Sequence, residues 1–137
     1  MFQVFSVFPG LLYLSPFATA LIRVAAGYAF LYMANSIARD RHKIAELRDV
    51  PMIGRMPLWL VWISVFATGL IGALLAVGLY TQVAAIFGAL LAVKHYVGIH
   101  RYTAIIPLSR GTYTLLFVIC ISLIISGAGT FAFDLPL

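Results

Sequence analysis

The chain has 137 residues, of which 64% are hydrophobic and 9% are charged, and its mean hydropathy is +1.07. A soluble domain is about half apolar and about a quarter charged, so a soluble fold of this composition would expose far too much apolar surface. The bilayer is the solvent that accepts such a chain. The net charge of +5 does not indicate nucleic-acid binding, because the basic residues cluster in two short connectors.

The first residues, MFQVFSVFPGLLYLSP, are apolar and uncharged. A secretory signal peptide would carry Lys or Arg near Met1. Pro9 and Gly10 interrupt the run, and its aromatic side chains suit the level of the lipid headgroups. We therefore expect a short amphipathic segment at the membrane interface, leading into the first span.

Four apolar stretches predict an all-α fold, an integral membrane four-helix bundle, because about 20 apolar residues cross ~30 Å of hydrocarbon. The predicted spans of this single transmembrane domain, 1–137, are residues 17–38, 58–79, 83–99 and 111–127. Pro57 suits the first turn of the second helix, where its missing N–H costs little. The sequence GLYTQ predicts a tight turn between the second and third spans.

Charge predicts the orientation of these spans. The two long connectors face the same side of a four-span protein, and Lys and Arg are retained on the cytoplasmic side. The connectors contain Arg39, Arg41, Lys43, Arg48, Arg55, Arg101 and Arg110. The opposite side has no Lys or Arg, so we expect both connectors inside and both termini outside.

The first connector, RDRHKIAELRD, alternates in charge and is expected to form a short solvated helix on the membrane surface. His42 and Glu46 are spaced to pair, whereas Asp40 has no partner four residues later. Small residues predict where the spans touch, since they let backbones approach in lipid. They recur every four residues at Thr68, Gly72 and Ala76, and again at Ala84, Gly88 and Ala92.

Three ionisable residues inside the spans are functional candidates. Arg23 lies roughly 10 Å into the first span; it either snorkels to the outer interface or turns inward to a carbonyl, a carboxylate or a ligand oxygen. Lys94 is near the inner end of the third span and is expected to snorkel. His95 is too short to do so, and either hydrogen-bonds inside the bundle, ligates haem, or relays a proton near a quinone. A single copy of this chain lacks the second intramembrane His that a bis-His haem would need.

No hydrolase triad, nucleotide-binding loop or metal-ligand cluster is visible in the sequence. Asp134 is the only acid outside the first connector, and one carboxylate cannot supply paired acid–base chemistry. Cys120 is the only cysteine and lies in an apolar run, so neither a disulfide within the chain nor a CxxC site is possible. We therefore assign no catalytic residue and no metal ligand. As a separate structural expectation, Arg23 bonds either the GAG turn after the fourth span or Asp134, because all three are predicted at the same membrane face.

At several points the sequence resembles the DoxX family of small four-span membrane proteins. The first span, LIRVAAGYAFLY, is similar to a family pattern of Arg, Gly and Phe, and the second span with its turn is similarly rich in glycine. The tail SGAGTFAFD resembles the family ending. The matching positions are Arg23, Gly27, Phe30, Gly72, Gly78, Thr81, Gly127, Gly129, Phe133 and Asp134. The chain departs from the family at Thr68 and Gln82, where many members carry Glu and Arg.

The resemblance implies a redox-associated membrane subunit, since relatives include a subunit of thiosulfate:quinone oxidoreductase. The first hypothesis is a non-catalytic accessory or anchoring subunit, with the lipid bilayer and other membrane subunits as partners. The alternative is a quinone-interacting subunit of a membrane oxidoreductase, with Arg23, His95 and Lys94 as candidate ligands or polar-network residues. A small transporter is a further alternative, although the spans offer few polar residues for a path.

We expect this chain alone to bind no cofactor, with quinone held at most at an interface between subunits. The expected location is the cytoplasmic (inner) membrane of a bacterium or an archaeon.

Overall fold

The structure is a computed structural model that describes residues 15–47, 49–50, 54–55, 57–99 and 108–127. This part of the chain is helical, apart from one two-residue β-ladder. Its helices are α1 (Ser15–Arg39), α2 (Arg41–Leu47), α3 (Leu58–Val77), α4 (Thr81–Ile99) and α5 (Arg110–Ser126). Two of them, α1 and α3, are long and apolar enough to cross a membrane, and α4 and α5 are shorter apolar helices. The predicted amphipathic N-terminal segment lies outside the described residues.

The long helices form an antiparallel bundle in which α1 packs mainly on α3 and α4 mainly on α5. Less extensive contacts of α3 with α4 and of α1 with α5 complete the ring. Phe30, at the centre of α1, is fully buried and reaches across the bundle to α4. A Cβ built on Gly88 of α4 would lie 3.2 Å from Cζ of Phe30 and 3.1 Å from Sγ of Cys120. The three residues therefore mark the middle of the core.

The backbones of α1 and α3 touch where Gly27 faces Gly72. A Cβ on Gly27 would lie 2.8 Å from the Gly72 carbonyl oxygen, and one on Gly72 would lie 2.9 Å from the Gly27 carbonyl oxygen. Neither position has room for a side chain, which is the close approach that small residues permit in membrane bundles. Thr68, one turn earlier on α3, is buried and donates its hydroxyl to the Ser64 carbonyl at 2.8 Å. Gly72 and the backbone of Ala76 thus lie at this contact.

The turn between α3 and α4 is built on Gly78, which has φ 80° and ψ 38°. The amides of Gly78 and Leu79 both donate to the Leu74 carbonyl, at 2.8 and 3.1 Å. Glycine adopts this left-handed conformation without a Cβ penalty, so it ends the helix. As a result α3 ends two residues before the predicted boundary, and α4 begins at Thr81 rather than at residue 83. Tyr80 is also left-handed, with φ 49°.

Both ends of α5 carry helix caps. The Ser109 side chain accepts a hydrogen bond from the Thr112 amide at 3.3 Å, which satisfies one of the exposed N–H groups of the first turn. Gly127, with φ 75°, follows the last turn, and its amide donates to the Leu123 carbonyl at 3.0 Å. Pro57 lies at the N-cap of α3, one position before the first turn where the sequence predicted it, and makes no side-chain cap bond.

The first connector folds into α2 and a small hairpin. A short helix is present where the charge pattern predicts one, and Ile44 anchors it by burying its side chain. The guanidinium of Arg41 lies 5.5 Å from the ring centroid of Trp62 on α3, a cation–π distance. Asp40 does find a partner: its carboxylate lies 3.3 Å from Nζ of Lys43, three residues later rather than four. The Glu46 side chain is not among those that the structure describes, so its pairing with His42 stays a prediction.

The hairpin of the connector was not predicted. Strand β1 (Asp49–Val50) pairs antiparallel with β2 (Gly54–Arg55), with Asp49 opposite Arg55. Strands of two residues are too short to show the alternation by which a strand is recognised in a sequence.

Candidate functional site

Two of the candidate residues, Arg23 and His95, lie toward opposite ends of the bundle. We call the end with the α3–α4 turn the Arg23 end, and the end where α4 finishes and α5 begins the His95 end. Thr81 begins α4 at the turn against which Arg23 packs. From there to His95 the helix rises about 20 Å at 1.5 Å per residue. A single small ligand therefore cannot contact both Arg23 and His95, so the structure separates two residues that the quinone hypothesis placed together.

Arg23 turns inward and is 98% buried, with only 2% of its surface exposed. Its guanidinium packs against the α3–α4 turn: a Cβ on Gly78 would lie 2.5 Å from its Nη1 and 2.7 Å from its Cζ. Thr81 is buried beside this turn at the start of α4. Of the two alternatives for Arg23, the structure has the inward one. The expected bond to Asp134 concerns a residue outside the described part of the chain.

Helix ends explain why a cation is tolerated here. α3 and α5 both finish at the Arg23 end, and the C-terminus of a helix carries about half a negative charge on carbonyls that lack partners within the helix. Gln82 of α4 supplies another donor, since its Nε2 lies 3.2 Å from the Ile124 carbonyl of α5. The carbonyls at the C-terminal ends of α3 and α5 thus offer acceptors to cations and N–H donors.

His95 has a defined orientation at the other end of the bundle. Its Nδ1 lies 2.7 Å from the Leu91 carbonyl, one turn earlier on α4, and a carbonyl can only accept. Nδ1 therefore carries the proton in the neutral ring, which leaves the lone pair on Nε2. The ring stacks on Tyr113 of α5, with centroids 5.6 Å apart and planes 10° from parallel. Tyr113 is itself fully buried, with its hydroxyl beside the backbone of Leu108.

A crevice opens between α4 and α5 next to this stack. Its volume is about 190 Å³, and its walls are mainly apolar and aromatic. It is lined by Ala92, Val93, Tyr96, Tyr113, Thr114 and Phe117. The Thr114 hydroxyl is already directed to the Arg110 carbonyl at 3.1 Å. Such walls suit a flat apolar ring or a hydrocarbon chain, and they offer little that would orient a strongly polar ligand.

Lys94 does not share this site. It is exposed, on a face of α4 that points away from the bundle. The position near the end of the helix fits the expected snorkelling of its ammonium group. Among the described residues, no three His, Cys, Asp or Glu side chains come together as a metal ion would require.

The positions behind the family resemblance have structural roles wherever the structure describes them. Gly27 and Gly72 form the α1–α3 contact, and Phe30 fills the centre of the core. Gly78 and Gly127 end their helices with positive φ angles, and Thr81 is buried at the turn. Gly129 and Asp134 lie outside the described residues.

Apart from Ala92, none of the residues that line the crevice was identified from the sequence, and the aromatic residues Tyr113 and Phe117 are among those missed. Aromatic residues are common in apolar helices, so neither carries a local signal. Their relation to His95 depends on how α4 and α5 are rotated about their axes, which the sequence of one helix does not determine. No family model matches the chain, and neither a curated protein nor a solved structure matches it.

Proposed function

We propose that the chain is an integral membrane protein of the DoxX type that acts as a non-catalytic accessory or anchoring subunit of a larger, redox-associated membrane complex. The membrane part of this proposal is supported by the outer surface of the bundle. Large apolar side chains at mid-helix or near helix ends are open to the surroundings, including Leu21 at 70%, Phe66 at 72% and Ile125 at 82% exposure. Hydrocarbon accommodates such a surface, whereas water does not.

One observation carries the accessory role. The residues that distinguish this sequence from an arbitrary apolar chain are used to build the bundle: Gly27 and Gly72 at a helix contact, Gly78 at a turn, and Arg23 against that turn. A chain whose distinctive residues maintain its shape is suited to present a fixed surface to a partner. The redox association is supported by the resemblance to the DoxX family alone.

The experiment is gentle purification of the tagged chain from its native membrane, with identification of the proteins, pigments and quinone that co-elute. An alkaline wash of the membranes comes first and should leave the chain in the pellet. We expect a fixed stoichiometry with a redox enzyme of the membrane. The control is the same purification with an untagged chain. Release by the alkaline wash would contradict membrane insertion, and elution without partners would contradict the subunit role.

The crevice favours a second candidate, a quinone-interacting subunit. A quinone ring is flat and apolar apart from its oxygens, and the aromatic walls of the crevice suit it. His95 stacks on the wall residue Tyr113 and, in the neutral state, has its lone pair on Nε2. Imidazole is the side chain suited to proton exchange near neutral pH, and His95 meets the crevice through Tyr113 rather than lining it. Arg23 has no part in this version of the site.

His95→Gln separates the two candidates. An amide can still donate to the Leu91 carbonyl, but it does not titrate near neutral pH. If the chain is an accessory subunit, turnover of the purified complex should stay within about twofold of wild type. Lys94→Gln, at the neighbouring exposed position, is the matched control. A loss of about a hundredfold or more with assembly unchanged, in His95→Gln alone, would support the quinone candidate against our proposal.

A further inference from the structure

The face of α1 that points away from the bundle carries a regular row of residues. Their spacing alternates between four and three: Leu21, Ala25, Tyr28, Tyr32, Asn35 and Arg39. All six are exposed. At about 100° per residue they fall within roughly 40° of one line, directly opposite the buried Phe30. We call this row the outer α1 seam.

The seam carries polar groups at a depth where lipid cannot satisfy them. Tyr28, which is 70% exposed, lies roughly 16–20 Å from either end of α1 at 1.5 Å per residue. Tyr32 and Asn35 continue the row toward the cytoplasmic end of the predicted topology. In hydrocarbon, a hydroxyl or amide without a hydrogen bond is unfavourable. The corresponding exposed middle positions of α4 and α5 are apolar, at Leu90 and Val118.

We propose that the outer α1 seam is the interface of a homodimer, with α1 of a second copy packed parallel to it about a two-fold axis along the membrane normal. The inference rests on the membrane insertion in the proposed function and adds a partner to it. Two copies inserted with the same topology can meet through α1 only in parallel, and the 4–3 spacing is that of a parallel two-stranded helical seam.

The hydrogen-bonding groups of the outer α1 seam identify a second copy of the chain as the partner that covers the seam. A phenol hydroxyl and a carboxamide each both donate and accept. Across a two-fold axis, Tyr28, Tyr32 and Asn35 each meet the same residue of the second copy at the same depth in the membrane. Each of these polar groups therefore gains a hydrogen-bonding partner. A single Asn in an otherwise weakly polar seam also fixes register and favours two strands. The Arg39 pair lies at the end of α1, where both side chains can extend to the headgroups.

The geometry of the bundle leaves this interface free to form. The seam lies on the opposite side of α1 from the core, so a second copy would not disturb the Gly27–Gly72 contact. It also lies on a different helix from the α4–α5 crevice, and that crevice would stay open.

Disulfide cross-linking in isolated membranes tests the proposal. Ala25→Cys and Tyr32→Cys place a thiol on the seam, and Leu90→Cys and Val118→Cys place matched controls at exposed mid-helix positions elsewhere. Native Cys120 is buried in the bundle and stays unchanged. Under mild oxidation we expect a dimer band from the seam variants and none from the controls, because a disulfide needs Cα atoms within about 7 Å. Equal cross-linking at all four positions would indicate random collision and overturn the proposal.

Removing the seam's polar groups is the second measurement. Tyr28→Phe and Asn35→Ala, each in the Ala25→Cys background, should weaken the dimer. We expect its association constant to fall by roughly threefold to twentyfold, the range for hydrogen bonds between membrane helices. Val118→Ala should leave it unchanged. An unchanged constant in both seam variants would overturn the assignment of these polar groups.

An alkaline wash of the same membranes separates failure of the inference from failure of the proposed function. Release of the chain by the wash would refute membrane insertion itself. Retention without a seam cross-link would overturn the dimer and leave the membrane subunit standing. A seam cross-link to a different protein would likewise overturn the dimer, and would assign α1 to a hetero-partner.

Discussion

Arg23 shows how one residue can be charged, buried and structural together. Its guanidinium lies against Gly78, at the C-terminal end of α3 where the helix carbonyls concentrate negative potential. The absence of a Cβ at Gly78 is what allows this approach. The glycine is therefore required twice, for its left-handed backbone and for the space it leaves to Arg23.

Gly78→Ala should destabilise the protein more than Gly127→Ala does. The left-handed backbone of Gly78 costs an alanine roughly 1–2 kcal/mol, and the extended positive-φ backbone of Gly127 costs one about 1–3 kcal/mol. A Cβ at Gly78 would also meet the guanidinium of Arg23, whereas nothing lies within 4 Å of one at Gly127. This clash adds about 1–3 kcal/mol. Thermal unfolding in detergent measures both, and equal losses would show that Arg23 does not pack on Gly78.

At the level of helices, the contact between α1 and α3 is a contact of backbones. Gly27 and Gly72 face each other with no room for a side chain, while Gly69, nearby on α3, has only the Ala34 Cβ near it, at 3.7 Å. Without a hydrophobic drive between helices in lipid, such close packing is a main source of association energy. The position of each glycine therefore matters more than the number of glycines on α3.

Gly72→Ala should separate α1 from α3, because its Cβ would lie 2.9 Å from the Gly27 carbonyl oxygen and the Leu31 amide. We expect a loss of about 1–3 kcal/mol in the free energy of unfolding. Gly69→Ala is the control on the same helix. It should be neutral or stabilise by up to about 1 kcal/mol, since alanine is the better helix former. Reversible unfolding in mixed detergent micelles compares them, and a tolerated Gly72→Ala would contradict the close approach.

At the scale of the whole molecule, the two ends of the bundle differ in charge. The Arg23 end holds a buried guanidinium against the C-cap of α3. The opposite end carries Arg39 and Arg41 at the α1–α2 junction and Arg110 at the start of α5. By the rule that basic connectors stay in the cytoplasm, we expect the Arg23 end to face outward.

Cysteine labelling tests this orientation. In intact cells, an impermeant thiol reagent should label cysteines placed at Gln3 and Leu137, and should not label one at Glu46 until the membrane is opened. Native Cys120 is buried, so the parent chain is the background control. Labelling of the Glu46 variant in sealed cells would reverse the topology.

The sequence predicts the helices well and their mutual rotation poorly. Apolar runs and the glycine turn locate α1, α3, α4 and α5 to within about two residues, because run length and breakers are local properties. The direction of Arg23 stayed open between lipid and core, since one helix alone does not reveal which face meets α3. The stack of His95 on Tyr113 was missed for the same reason. Whether the bundle lies in a membrane stays a prediction.

The unequal pairing of the helices has a consequence for biosynthesis. α1 and α3 form one tight pair and α4 and α5 the other, with less extensive contact between the pairs. A growing chain folds from its N-terminus, so the first pair can close at Gly27 and Gly72 while the rest is still being translated. α4 leaves the ribosome before its main partner exists. We therefore expect that a chain arrested after α4 keeps the first hairpin assembled but is degraded faster than the full-length protein.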